Sequence, residues 1–180
     1  LVDLARSTAT RRWGEARGNR APACVRSTAD RLPELIAKLT LGKTALAVID
    51  TAPYQLVSCR TAMVMADLVL IPITATAAGA EAARHTAEMA RRAGVPALMV
   101  INDVAALPDR DLLLSFHRIA PVAPTVIRRH RLFPECMATG GTVFEREPFG
   151  DVTRDVHELW NPLTFMLEAR ARAPLTTAAE

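Results

Sequence analysis

Asp50 closes an unbroken apolar run, Ala45 to Ile49, and the chain then turns through Thr51-Ala52-Pro53. Such a run is the mark of a strand buried on both faces, and its C-terminal tip is where open parallel sheets bind ligands. In nucleotide hydrolases an acid so placed holds Mg2+ through its water shell. Just upstream, Gly42-Lys43-Thr44 spells the last three letters of a phosphate-binding loop. The full motif, G-x-x-x-x-G-K-[ST], follows a strand and opens a helix. Here its first glycine is replaced by Ala37, a helix runs into Gly42 and a strand leaves Thr44. Gly42 therefore reads as a helix-terminating glycine in the left-handed conformation, and Lys43 as a solvated side chain. The informative residue of the stretch is Asp50.

Other reactive side chains form weaker patterns. Arg128-Arg129-His130-Arg131 is the densest basic cluster; it suits phosphate-backbone contact with DNA or a solvated turn. Arg11-Arg12 and Arg91-Arg92 read as helix surface, while Arg170 and Arg172 could extend a basic patch at the tail. His85, His117, His130 and His157 share no ligand spacing with one another or with cysteine. Ser58-Cys59 lacks the G-x-S-x-G frame of a nucleophile elbow. Cys24, Cys59 and Cys136 are odd in number and far apart, as reduced thiols are.

The elements that must position these groups alternate between strand and helix. Strands are expected at Leu1 to Leu4, Cys24 to Arg26, Ala45 to Ile49, Leu68 to Ile73 (stopped at Pro72), Ala97 to Ile101 and Pro124 to Ile127. Helices are expected at Ser7 to Ala16, capped by Ser7 or Thr8, and at Ser27 to Leu41, capped by Ser27 or Thr28. Further helices fall at Leu56 to Ala66, Gly79 to Ala93 closed by Gly94, Asp109 to Ile119 and Leu132 to Thr139. The segment from Asp151 to about Arg172 carries one apolar stripe, with a kink or break expected at Pro162. This alternation implies an α/β chain with a mostly parallel sheet and helices on both faces. Residues 1–173 read as a single domain and 174–180 as a polar tail.

Bulk properties agree with that class. The chain has 180 residues, of which 50% are hydrophobic and 23% charged, ordinary for a globular domain. The formal net charge of +3 permits an acidic partner without requiring one. The longest apolar run, around Ala66 to Ile73, is interrupted by Asp67 and Pro72, so no membrane span is expected.

Several segments, in order, resemble the ParA/MinD family of deviant-Walker ATPases, nearest to its plasmid and chromosome partition branch. LVDLARSTATRRW is similar to the family's second strand and following helix, "hhDxDPQxSxxxW". AVIDTAP resembles its "hhIDTPP" switch segment, and TAMVMADLVLIPITATAAGAEAARHT its "ALxAADxVLIP" segment, the most distinctive match. VPALMVINDV resembles the strand that ends near the base, and PTVIRRHRLFPECMATGGTVFE the segment after it. The resemblance implies a P-loop NTPase-like fold. It assigns Asp50 as the Walker B, Mg2+-holding acid and Asp3 as the first acid of the second-strand motif. It places Thr51 and Pro53 in the γ-phosphate switch, Asn102 near the adenine, and Ile127 with the residues after it along the nucleotide edge and dimer surface. Asp67 matches the acid before the "LIP" strand, where a structural role is expected.

The departures are as specific as the matches. Ala5 stands for the second acid of "DxD", Arg6-Ser7 for "PQ", and Ala52 for a usual switch proline. The first strand and its "KGGxGKT" loop are absent from the sequence. The chain by itself is therefore expected not to hydrolyse ATP, either as a fragment truncated at its N-terminus or as a degenerate paralogue. In intact form the resemblance implies ATP and Mg2+ as cofactors, a homodimer, non-specific DNA binding through Arg128, Arg129 and Arg131, and a centromere-binding partner. The implied location is cytoplasmic and nucleoid-associated, without membrane attachment, because the tail is not a basic amphipath. Alternatives are an accessory ATPase of conjugative DNA transfer, or a non-catalytic paralogue serving as a DNA-binding or protein-interaction module.

Overall fold

The computed structural model describes residues 1–5, 9–52 and 56–172. The cap at Ser7 or Thr8, the Arg6-Ser7 departure, Pro53 and the tail 174–180 lie outside these residues. In chain order the elements are β1 (Val2–Asp3), α1 (Ala9–Arg17), β2 (Val25–Arg26), α2 (Leu32–Leu41), β3 (Ile49–Asp50), α3 (Leu56–Val64) and β4 (Val69–Ile73). They continue with α4 (Ala77–Arg92), β5 (Ala97–Ile101), α5 (Arg110–His117), α6 (Leu132–Thr139), α7 (Val143–Arg146) and α8 (Asp151–Arg172). Every strand pairing among the described residues is parallel. The α/β class follows directly.

The chain forms two compact units, Leu1–Ala66 with Arg129–Thr153, and Asp67–Arg128 with Arg154 onward. In the first unit the strand order is β2-β1-β3. Val2, Leu4, Leu32 and Ala62 form its buried cluster, with Ile49, Leu35, Ile36 and Leu39 against it. Because side chains alternate along a strand, Asp3 and Asp50 face away from that cluster. They face α1, whose Thr10 hydroxyl reaches Asp50. Helices thus cover both faces of this sheet.

A dense polar latch holds α1 to α6 and α7. Arg17, only 7% exposed, donates to the Ala21 and Gly140 carbonyls and forks onto both Glu145 oxygens at 3.1 and 3.2 Å. Its guanidinium also lies 5.1 Å from the Trp13 ring centre, and Trp13 donates to the Gly141 carbonyl at 2.8 Å. The hydrogen bonds from Arg17 hold the Glu145 carboxyl below its ordinary pKa. Gly140 ends α6 in the left-handed conformation, φ 66°, pressed against the last turn of α1.

In the second unit β4 pairs with β5 in register Val69↔Ala97 to Ile73↔Ile101. Its core is Ile71, Ile73, Met99, Ile101, Val104 and Phe116, with Ala80, Ala83 and Ala87 of α4. The alanine stripe lets α4 approach the sheet closely, which explains a core built with so few aromatics. Thr76 caps α4 by accepting from the Gly79 N–H, and Gly94, φ 68°, ends it as expected.

Several boundaries differ from the sequence reading for identifiable reasons. α2 begins at Leu32 rather than Ser27, with neither Ser27 nor Thr28 as its cap; Pro33 is tolerated only in a first turn, so the helix starts there. Gly42 has φ −75°, and the left-handed residue is Lys43, φ 54°. The bonds from Lys43 N–H to Thr40 O and from Thr44 N–H to Leu39 O make a Schellman end, one residue later than expected. Only Ile49–Asp50 of the apolar run is strand, and Leu46 and Val48 are 47% and 54% exposed. Ile49 and Asp50 are both half-buried, so full burial on both faces is not met there, and among the described residues no strand pairs with the outer edge of β3.

Pro72 does not stop β4. Val69 N–H bonds to Pro96 O, so alternate residues, Pro72 among them, turn their nitrogens to the open edge. The expected strand Pro124 to Ile127 is reduced to single bridges at Val122 and Arg128. α8 runs on through Pro162, and the Thr164 hydroxyl bonds to the Trp160 and Asn161 carbonyls beside it. α7, which the reading missed, is set by a capping box between Thr142 and Glu145.

A β-carbon at Gly140 would overlap the Arg17 nitrogen and stand 2.5 Å from the Ala16 carbonyl carbon. Gly140→Ala is therefore expected to lose on the order of 3 kcal/mol in urea unfolding. Lys43→Gly is expected to gain about 1 kcal/mol in the same measurement, by relieving the left-handed lysine.

Candidate functional site

β1 and β3 place two acids side by side. Asp3 and Asp50 are register partners, and Leu4 N–H bonds to Asp50 O at 2.9 Å just beyond them. Register partners in a parallel pair point to one face, so the carboxylates are neighbours at the C-terminal ends of their strands. Like charges directly opposite are unfavourable.

The two acids have different surroundings. Asp50 is half-buried, and its Oδ2 accepts from Thr10 Oγ1 at 2.6 Å. Asp3 is 4% exposed; its Oδ1 accepts from the Ala5 N–H at 2.8 Å. Its Oδ2 is buried with no hydrogen-bond partner among the described residues. A buried, unpaired carboxylate oxygen beside a second carboxylate is costly unless a cation or donor completes it. Thr51 is half-buried directly after Asp50, and the Ala52 carbonyl accepts from Cys59 Sγ at 3.6 Å, tying the turn back to α3.

The other expected residues gather elsewhere. Asn102 and Ile127 meet at the end of β5: Ile127 N–H bonds to Ile101 O, and Asn102 N–H to Ile73 O, each at 2.8 Å. Asn102 is exposed and Ile127 buried. Asp103, beside them, is left-handed with φ 58°. Arg128 forks onto the buried Asp155 of α8 at 2.7 and 2.8 Å, and its N–H adds a third bond to that carboxylate. Burial alone would push the Asp155 pKa up, but these Arg128 hydrogen bonds outweigh it and leave it below the ordinary value. Arg131 is exposed and pairs with Glu135 at 3.1 Å and Glu147 at 4.0 Å. Arg129 is exposed next to it.

Solved structures with this architecture exist. The septum site-determining protein MinD of Pyrococcus horikoshii OT3, complexed with Mg-ADP, superposes with a TM-score of 0.75 over 96% of this chain and 85% of that one, at 13% identity. The cell division ATPase MinD of Pyrococcus furiosus gives 0.67 over 92% and 84%, at 15% identity. The MinD cell division protein of Aquifex aeolicus gives 0.65 over 92% and 83%, at 11% identity. The chain has the fold of these MinD proteins. Neither a family model nor a curated protein matches the sequence. No helix among the described residues is long and apolar enough to cross a membrane.

Within the MinD-like fold, sequence reasoning overlooked two features. Thr10 reaches Asp50 across 40 positions of chain, and nothing in the local spacing signals such a contact. The Arg17 latch had a visible trace, since Thr142-Val143-Phe144-Glu145 has the spacing of a capping box directly after Gly140-Gly141.

Asp3→Asn keeps the Oδ1 acceptor for Ala5 while removing the charge beside Asp50. It is expected to raise unfolding free energy by roughly 1 kcal/mol at neutral pH. Asp3→Leu, which also abandons the Ala5 N–H, should fall below the wild type. Urea titration of the three proteins checks the order.

Proposed function

We propose that this chain is the Walker B and switch portion of a ParA/MinD-type ATPase, completed by a phosphate loop that these 180 residues do not contain. The observation that carries the reading is the pairing of Asp3 with Asp50, with one Asp3 oxygen that has no donor among the described residues, within a MinD-like fold. The oxygen-only set of Asp50, Thr10 and Asp3 suits a hard cation such as Mg2+ held through water. A bound Mg2+ would supply charge neutralisation at the nucleotide phosphates. In this reading Asp50 orients the cation's water shell, Thr10 fixes the Asp50 carboxylate, and Asp3 supplies a second negative charge. Thr51 belongs to the loop that responds to the γ-phosphate, and Asn102 and Ile127 belong to the base edge.

The complete protein would dimerise with ATP, act in the cytoplasm on plasmid or chromosome DNA, and engage a centromere-binding partner. DNA contact falls to Arg129 and Arg131, while the Arg128 guanidinium is engaged by Asp155. A non-catalytic paralogue that keeps only an interaction surface is the second reading, favoured by the substitutions Ala5 and Ala52 in the acid and switch motifs.

Calorimetric titration of ATP·Mg2+ into the 180-residue chain should give no binding heat, and micromolar affinity would refute the missing-loop reading. The coding sequence upstream of Leu1 separates the two alternatives. An in-frame K-G-G-x-G-K-T supports the ATPase, and a start codon immediately before Leu1 leaves the paralogue.

A further inference from the structure

Thr10, Trp13, Gly14 and Arg17 recur at the i, i+3, i+4, i+7 spacing and so share one face of α1. Each meets a different part of the first unit. Thr10 donates to Asp50 Oδ2 at 2.6 Å, and Trp13 donates to Gly141 O at 2.8 Å. Gly14 lies against Cys24, where an added β-carbon would stand 2.7 Å from the Cys24 β-carbon. Arg17 forks onto both Glu145 oxygens and donates to Gly140 O. One end of the helix therefore rests on the sheet acid, and the other on the corner between α6 and α7.

α1 carries no Leu, Ile or Val, and Arg17 is the buried residue among its nine. A helix without an apolar stripe is held in place by its specific bonds. At nine residues it is also too short to persist alone in water. The position of Thr10 over Asp50 is thus set from the far end of the helix, by Arg17 and Glu145. Among the described residues Asp50 Oδ1 has no hydrogen bond, so the Thr10 bond fixes which carboxylate oxygen is engaged and which is left for other ligands.

We propose that Arg17 and Glu145 are positioning residues for a divalent cation at Asp50, acting through α1 and the Thr10 hydroxyl. The inference rests on the reading of Asp50 and Asp3 as a cation-holding pair, and adds to it a remote determinant of affinity. Groups that orient a metal-holding carboxylate change affinity by about 10- to 100-fold when they are removed. The latch acts on that carboxylate through one hydroxyl at the end of a helix, so its share is smaller than that of Thr10. The Glu145 side chain is 40% exposed, so its charge can be removed without stranding a buried carboxylate.

The test is titration of the full chain with Mn2+ alone, without nucleotide, followed by water-proton relaxation enhancement, which detects weak sites. Saturable binding that Asp50→Asn abolishes is expected. Thr10→Val should weaken it about tenfold, and Thr10→Ser, which keeps the hydroxyl, should restore it. Glu145→Gln should weaken it about threefold. Glutamine retains the capping box with Thr142, so α7 is kept in that variant. The double variant Thr10→Val/Glu145→Gln should bind no more weakly than Thr10→Val, because Glu145 acts through Thr10; a merely structural loss at Glu145 would add to it. The inference is overturned, with the cation-pair reading intact, if Asp50→Asn abolishes binding but Glu145→Gln leaves the Kd unchanged or adds in full to Thr10→Val. If the chain binds no Mn2+, or binds it equally after Asp50→Asn, the cation-pair reading fails and the inference falls with it.

Discussion

The first unit depends on β1 being hydrogen-bonded along both of its edges. A strand of two residues has little stability of its own, yet Val2 and Leu4 donate to β3 while Leu1 and Asp3 accept from β2. This double pairing sets the register that brings Asp3 beside Asp50. It also turns the Arg26 backbone to the free edge. Val2 and Leu4 anchor the arrangement from below through Leu32 and Ala62, so their burial sustains the two acids on the opposite face. Slipping the register by one residue would turn the acids into the apolar cluster and Val2 and Leu4 out of it.

The Arg17 latch supplies the second constraint. Thr10 meets Asp50 only because α1 is held in place. α1 is fixed at its far end by Arg17 on Gly140 and Glu145, and in its middle by Trp13 on Gly141. The latch is built from buried polar groups that satisfy one another, which specifies one geometry at the cost of desolvation. A helix anchored by such a network holds a hydroxyl more reproducibly than one resting on an apolar stripe.

Much of this was legible in the sequence, and the misreadings have a common cause. β5, the course of α4 and α6, and the Gly94 stop were recoverable because local pattern and tertiary context agree there. The position of Asp50 at a strand end was recoverable because an apolar run closed by an acid often ends a parallel strand. The failures occur where a backbone constraint overrides pattern. Pro33 moves the start of α2, and Lys43 takes the left-handed position next to a glycine that could have held it. The Thr10–Asp50 contact and the Arg17 network were illegible for another reason. They join residues 40 and 128 positions apart, and only the fold brings these together.

The apolar run Ala45 to Ile49 joins these levels. Its composition is that of a strand covered on both faces, yet Leu46 and Val48 are 47% and 54% exposed and only Ile49–Asp50 takes strand form. Ile49 packs against the buried cluster, and the alternation that Ile49 and Asp50 set puts Val48 on the side of the acid. Composition and exposure therefore disagree on the face that carries Asp50 and agree on the face that carries the core. The apolar pattern of the run is satisfied where α2 and α3 bring Leu32 and Ala62 against the sheet, and it is left open where the two acids stand.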